Sequence, residues 1–234
     1  MLSVTQRIRS ASQPTNGYVP ISIFDIETYD DNQNILDVAP RLSSIQGLAV
    51  DYLTRFMLFQ DKNKAFDISI RGAIYLDSIN KTTCEYKNVT SLLTGIKGLD
   101  KESIINACKI VCYDSVLRAG IAAYCPSSSI EFEESLYTNI SILVNRCLSF
   151  FKIIGPILAD ELTFEGGYTK LVSSGDGDYM SKDTIIDIKV SKTAFSTKWS
   201  LQLLMYYLLG IHSIHPEFTD IKKLCIFNAY KNQS

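Results

Sequence analysis

The stretch GDGDYMSKDTIIDIKVSK, residues 175–192, constrains this chain more than any other. It carries four aspartates and runs into TIIDIKV, where Ile185, Ile186, Ile188 and Val190 are apolar enough for the middle of a sheet. Asp187 and Lys189 are thus polar residues written into an interior strand, which costs free energy unless they are paired or used. Side chains alternate faces along a strand, so Asp187 and Lys189 share one face, as do Asp176 and Asp178 on the strand before. A turn centred between Lys182 and Asp183 sets Asp178 opposite Asp187 and Asp176 opposite Lys189, with Asp183 left to the turn. A slip of one residue would send the two sets to opposite faces. Facing carboxylates repel, and a divalent cation between them removes the repulsion. Mg2+, or Mn2+ in its place, suits a pair of aspartates completed by waters and a substrate phosphate.

The rest of the composition sets bounds. A chain of 234 residues, 46% of them apolar, can bury a proper core as a single domain. The six cysteines have no paired CxxC spacing, so they read as buried free thiols rather than a zinc ribbon or a disulfide framework. No apolar run approaches the length that spans a bilayer and no charged leader precedes one, which predicts a cytoplasmic protein with no membrane partner. A formal charge of −2 argues against a general polyanion-binding surface but allows a local basic groove.

Along the chain, residues 1–20 are polar and read as a loosely held leader. The pattern predicts strands at ISIFDIET (21–28) and AFDISIRGAIYL (65–76), and helices over 40–60, 88–99 and 100–120, the last capped by Asp100 or Ser103. From Glu133 the order becomes helix (133–155), three strands (ELTFEGG, KLVSSGDGDYM and TIIDIKV), helix (199–213) and a last strand, KLCIFNAY. The expected fold class is α/β, a mixed central sheet flanked by helices. Residues 1–130 form a mainly helical elaboration and residues 131–234 the core.

Three pieces of that core, Gly175-x-x-Asp178, Asp187-x-Lys189 and Gln202-Leu203-x-x-Tyr206, resemble the PD-(D/E)XK nuclease superfamily, and within it the RecB-like branch. Gln202 and Tyr206 are four apart and share a helical face that can look back at the Asp-x-Lys strand. The resemblance covers residues 131–234 and implies a restriction-endonuclease-like core and hydrolysis of DNA phosphodiester bonds by metal-activated water. It implies Asp178 and Asp187 as metal ligands, Lys189 serving the water and the phosphate, and Gln202 and Tyr206 positioning the site or the strand. Such nucleases often carry an upstream metal-binding histidine. Here His212 and His215 come after the motif, so a glutamate must replace it: Glu165 first, from its alternation in ELTFEGG, then Glu161 and Glu134. Asp176 is divided between supplementary ligand and turn geometry.

Plainer alternatives accompany each residue. Gln202 and Tyr206 fit a satisfied helix core, Glu165 a solvated position, and Arg146 a surface arginine lying along the apolar layer. Lys192, Lys198 and Trp199 lie near the site and could hold a nucleic-acid strand by charge and stacking. FDIETY, with Asp25 and Glu27, resembles the first motif of DnaQ-like (DEDD) exonucleases; His215 and Asp220 match the spacing of the last, and Asp114 is the best middle acid. A nuclease-derived DNA-binding or interaction protein without turnover is the alternative from another class. A homo-oligomer, and a protein partner engaged through the N-terminal half, stay open.

Overall fold

The computed structural model describes residues 2–234, which divide into two compact units: residues up to Asp31 with Ser149–Ser234, and Asn32–Leu148. In chain order the elements are β1 (Leu2–Ser3), α1 (Val4–Ser10), α2 (Ser43–Phe59), α3 (Lys62–Ala65), α4 (Asp67–Ile79), α5 (Glu85–Gly95), α6 (Lys101–Ile110), α7 (Asp114–Arg118) and α8 (Glu134–Ile154). Then come β2 (Ala159–Leu162), β3 (Val172–Ser174), β4 (Gly177–Met180), β5 (Thr184–Lys189), α9 (Thr197–Ile211) and β6 (Lys223–Asn228).

The first unit is built on a four-stranded mixed sheet in the order β2-β4-β5-β6, antiparallel at the first two pairings and parallel at the last. Strand β5 is interior, as its apolar composition requires. Its hairpin with β4 turns at Lys182 and Asp183: the Ser181 N–H donates to the Thr184 carbonyl at 2.9 Å, and the Asp183 side chain accepts from the Thr184 hydroxyl. Tyr179 pairs with Ile186 and Met180 with Ile185, the register expected from a turn at that centre.

Alternation then gives the sheet two different faces. Tyr179 and Phe227 point to one, where the last turns of α8 bring Phe150 and Phe151. Phe150 stacks on Phe227 with ring centroids 4.2 Å apart and planes 1° from parallel, and Phe151 packs on Tyr179 at 4.9 Å. The other face is covered by α9, whose Leu203, Tyr206 and Leu209 join Met180, Ile185 and Ile226 in the core. Met180 and Ile185 make one end of that face apolar, and Asp178, Asp187 and Lys189 make the other end polar.

Several expected elements differ. Residues 2–10 are not a loose leader: Leu2 and Ser3 pair with β3 in parallel, and Val4 and Ile8 are buried against α9. Ser3 and Gln6 close a reciprocal cap, the Ser3 hydroxyl accepting from the Gln6 N–H at 3.2 Å and the Gln6 amide oxygen accepting from the Ser3 N–H at 2.9 Å. ISIFDIET is a 3-10 turn at Ile21–Ile23 followed by extended chain that pairs with the last residues, Thr28 bridging Gln233 and Glu27 exchanging backbone hydrogen bonds with Ser234. ELTFEGG is a strand only to Leu162; Gly167 then bonds back to the Phe164 carbonyl, and Gly166 has φ +86°. KLVSSGDGDYM is two strands, β3 and β4, broken at Gly175. There a side chain would meet Val4 at 2.6 Å.

The second unit is helical. Its core is α2, buried through Ile45, Ala49, Tyr52, Leu53 and Phe56, with α6 packed on it, α5 on α6, α4 on α5, and α7 on α4. AFDISIRGAIYL, expected as a strand, is the helix α4. Its buried stripe is Ser69, Gly72 and Ala73, and a β-carbon at Gly72 would sit 2.3 Å from the Tyr113 carbonyl oxygen. The large apolar residues Ile74, Tyr75 and Ile79 are exposed, so counting hydrophobes finds the wrong face. The 100–120 helix is interrupted by a 3-10 turn at Val111–Tyr113, though Asp100 caps its start as expected. All six cysteines are free, and Cys84 and Cys125 are exposed rather than buried. Among the described residues no helix is long and apolar enough to cross a membrane.

Phe227 is fully buried in the aromatic layer, so Phe227→Ala will destabilise the sheet unit by about 3–5 kcal/mol. Ile23→Ala, at a position 68% exposed, will stay within about 0.5 kcal/mol. Urea unfolding followed by the emission of Trp199, the one tryptophan, checks both.

Candidate functional site

The polar end of the α9 face is organised around the ammonium of Lys189. Strand alternation turns Lys189 and Asp187 to the same side, and their groups meet: Nζ lies 2.6 Å from Asp187 Oδ2. Asp187 is 1% exposed and the Lys189 side chain 19%. This is an ion pair largely withdrawn from water, where a lone carboxylate would be strongly disfavoured. Nζ also donates to Gln202 Oε1 at 3.0 Å, and Gln202 Nε2 donates to the Tyr206 hydroxyl at 2.7 Å. The one-turn spacing on α9 thus serves a chain of contacts from Tyr206 through Gln202 and Lys189 to Asp187.

Asp178 joins from across the hairpin. Continuing the observed register places it opposite Asp187, and its Oδ2 accepts from the Ile188 N–H at 2.7 Å, which ties the carboxylate to the end of β5. Both carboxylates act on their neighbours. Burial works against the charge on Lys189, but Asp187 and then Asp178 outweigh it, and the pKa of the ammonium is raised. Burial, followed by the same two charges, pushes the Tyr206 phenol far above its ordinary range, so it stays protonated. Asp178, Asp187, Lys189, Gln202 and Tyr206, chosen from sequence, therefore come together. Asp176 is exposed in the link between β3 and β4, close enough for its charge to act on Tyr206 and Tyr168.

Glu165 corrects one expectation. It was assigned to a polar strand face, but it lies in the turn after β2, 54% exposed, with its carboxylate 2.8 Å from His215 Nε2. The hydroxyl of Thr163, and then His215, lower its pKa to about 2. Glu161 is at the end of β2 in a left-handed backbone conformation (φ +50°), and Glu134 is ion-paired with Lys101 at 2.6 Å in the helical unit. Among the described residues no three His, Cys, Asp or Glu side chains form a group that could hold a metal ion. The cluster offers two carboxylates and a lysine.

Three residues of the competing exonuclease pattern, Glu27, His215 and Asp114, have partners of their own. Glu27 accepts from Tyr29, His215 sits between Glu165 and Glu217, and Asp114 belongs to the helical unit, bonded to Tyr52 and paired with Arg118 at 2.8 Å. Arg146 is buried rather than superficial and donates to the Gln33 carbonyl.

Sequence reasoning missed two supporting residues. Asn228, 1% exposed at the end of β6, donates its amide to the Ser191 and Thr193 carbonyls and accepts from the Ser191 N–H, clamping the loop that leaves β5. The Tyr168 hydroxyl donates to the Gly175 carbonyl, steadying the approach to Asp178. Asn228 lies 37 positions from Ser191, so no local spacing advertised it. Comparison of the chain with protein-family models, with curated proteins and with solved structures found no match.

Lys189→Met leaves Asp187 buried without its cation and will cost about 3–5 kcal/mol in metal-free buffer; adding Asp187→Asn will recover part of that loss in chemical denaturation. The lowered pKa of Glu165 has a defined sign. Its favourable contacts contribute fully above its ordinary value of 4.5 and are lost as pH falls toward about 2. Over that window, melting temperatures will fall more for the wild type than for Glu165→Gln.

Proposed function

We propose that this chain is a divalent-cation-dependent DNA nuclease of the PD-(D/E)XK kind, hydrolysing phosphodiester bonds through a cation-activated water. The observation that carries the proposal is the Lys189 ammonium held 2.6 Å from Asp187 and 3.0 Å from Gln202, with Asp178 facing across the hairpin. The strand order also supports it. Three antiparallel strands, a helix and a final strand parallel to β5 are the kind of order a restriction-endonuclease-like core would need.

The residues fit a hard cation. Two aspartates on one face, one of them 1% exposed, are a charge excess that a single lysine offsets only in part. Asp178 and Asp187 supply the oxygen donors that Mg2+ or Mn2+ takes while keeping waters and a phosphate oxygen. When bound, such a cation makes a coordinated water a better nucleophile and offsets charge on the phosphate. Lys189, with three donors and no acceptor, steadies negative charge on the phosphate and orients the water. Gln202 fixes Nζ so that little of this geometry is left to chance, and Tyr206 fixes Gln202.

Binding of DNA without turnover is favoured by one observation: Glu165 is bonded to His215 instead of adding a third carboxylate to the pair. A cleavage assay separates the two. With Mg2+ or Mn2+ the wild type will cut linear or nicked DNA, and chelation will stop it. Asp187→Ala and Lys189→Ala will each lose about a hundredfold or more. A wild type that binds DNA but cuts none with either cation leaves the binding protein as the answer.

A further inference from the structure

We infer that the mouth of this site is a platform for an unpaired nucleotide, with Trp199 as the stacking surface; the inference rests on the nuclease reading and names the form of DNA it takes. Trp199 lies one helical turn before Gln202 on α9, and positions 199, 202 and 206 fall on one side of the helix. The face that holds Lys189 through Gln202 therefore continues outward to an indole. That ring is half-buried and forms a T-shaped pair with Phe195, their centroids 6.2 Å apart and planes at 89°, which fixes its orientation.

Along the chain the charged residues on this segment are of one sign; Asp25, an acid from outside it, lines a pocket with Phe195. Lys192 and Lys198 flank the pair and are exposed, Lys192 lying 5.9 Å from the centre of the Tyr230 ring. No acidic side chain occurs between Val190 and Ile211. The loop carrying Lys192 and leading to Phe195 is not left to wander, because the buried Asn228 amide holds Ser191 and Thr193 at 2.9–3.2 Å.

An exposed base stacks on such a ring whatever its identity, while the lysines follow the backbone; a base inside a duplex is stacked on both sides and offers no free face. The reacting end of the DNA is therefore single-stranded or frayed next to the scissile phosphate. The chain should prefer overhangs, flaps and single strands over blunt duplex.

The single tryptophan makes the test direct. The full chain is titrated with an oligothymidylate and with a blunt duplex of equal length, in Ca2+ to hold back cleavage. Trp199 emission reports contact, and the anisotropy of a dye on the DNA reports affinity. The expected result is quenching by the single strand, tighter binding of it than of duplex, and a loss on the order of tenfold for Trp199→Ala, with Trp199→Phe retaining most of the affinity. Lys192→Ala with Lys198→Ala will flatten the salt dependence of binding. Unchanged emission at saturating single strand, equal binding of duplex, or wild-type affinity in a folded Trp199→Ala protein overturns the platform. If Trp199→Ala binds and cuts like wild type while Asp187→Ala is dead, the platform fails and the nuclease stands. If the chain neither binds nor cuts DNA, both fail.

Discussion

A carboxylate 1% exposed in the middle of a β-sheet is a liability, and the ammonium of Lys189 makes Asp187 tenable. That pairing requires both residues on one face of one strand, two positions apart, and it requires the strand to be interior. A helix must then cover the same face at its apolar end while offering polar groups at the other. Helix α9 does both: Leu203 and Leu209 enter the core, and Gln202 reaches the ammonium. The hairpin turn at Lys182 and Asp183 sets the remaining condition, because only that register brings Asp178 to the same side.

Most of this was legible because it depends on short-range periodicities. The period of two along TIIDIKV puts Asp187 and Lys189 on one face, the turn at Lys182 and Asp183 brings Asp178 opposite, and the spacing of four aligns Gln202 with Tyr206; that the strand and helix sets meet was implied by the family resemblance. What escaped the sequence was of other kinds. In α4 the buried stripe is made of small residues, Ser69, Gly72 and Ala73, so the apolar pattern pointed to the exposed side. In ELTFEGG the strand gives way early to a turn made by Gly166 and Gly167, and Glu165 leaves the face that alternation assigned to it. The reciprocal cap of Ser3 and Gln6 was readable as S-x-x-Q, yet polar neighbours disguised it as a loose end. Asn228 and Tyr168 act on backbone groups of other segments, and nothing in their own surroundings reports such partners.

The two faces of the sheet also divide the labour. The face toward α8 is aromatic, with Phe150 stacked on Phe227 and Phe151 packed at a tilt on Tyr179, and it carries stability. The opposite face concentrates three charges at one end, which burial alone would not tolerate. Rigid packing behind the sheet lets the front hold groups that repel one another. A site with excess negative charge is stable only if the strands bearing it cannot separate.

The composition of the first unit from two distant stretches bears on how the protein is made. Strand β1 pairs with β3 across some 170 positions, and the Ser234 backbone exchanges hydrogen bonds with Glu27. The helical unit is one continuous segment and can collapse while synthesis proceeds, whereas the sheet cannot close until β6 has been made. Pairings of that span are slow to find. Compaction of residues 32–148 before the sheet closes would shorten the span the remaining chain must search.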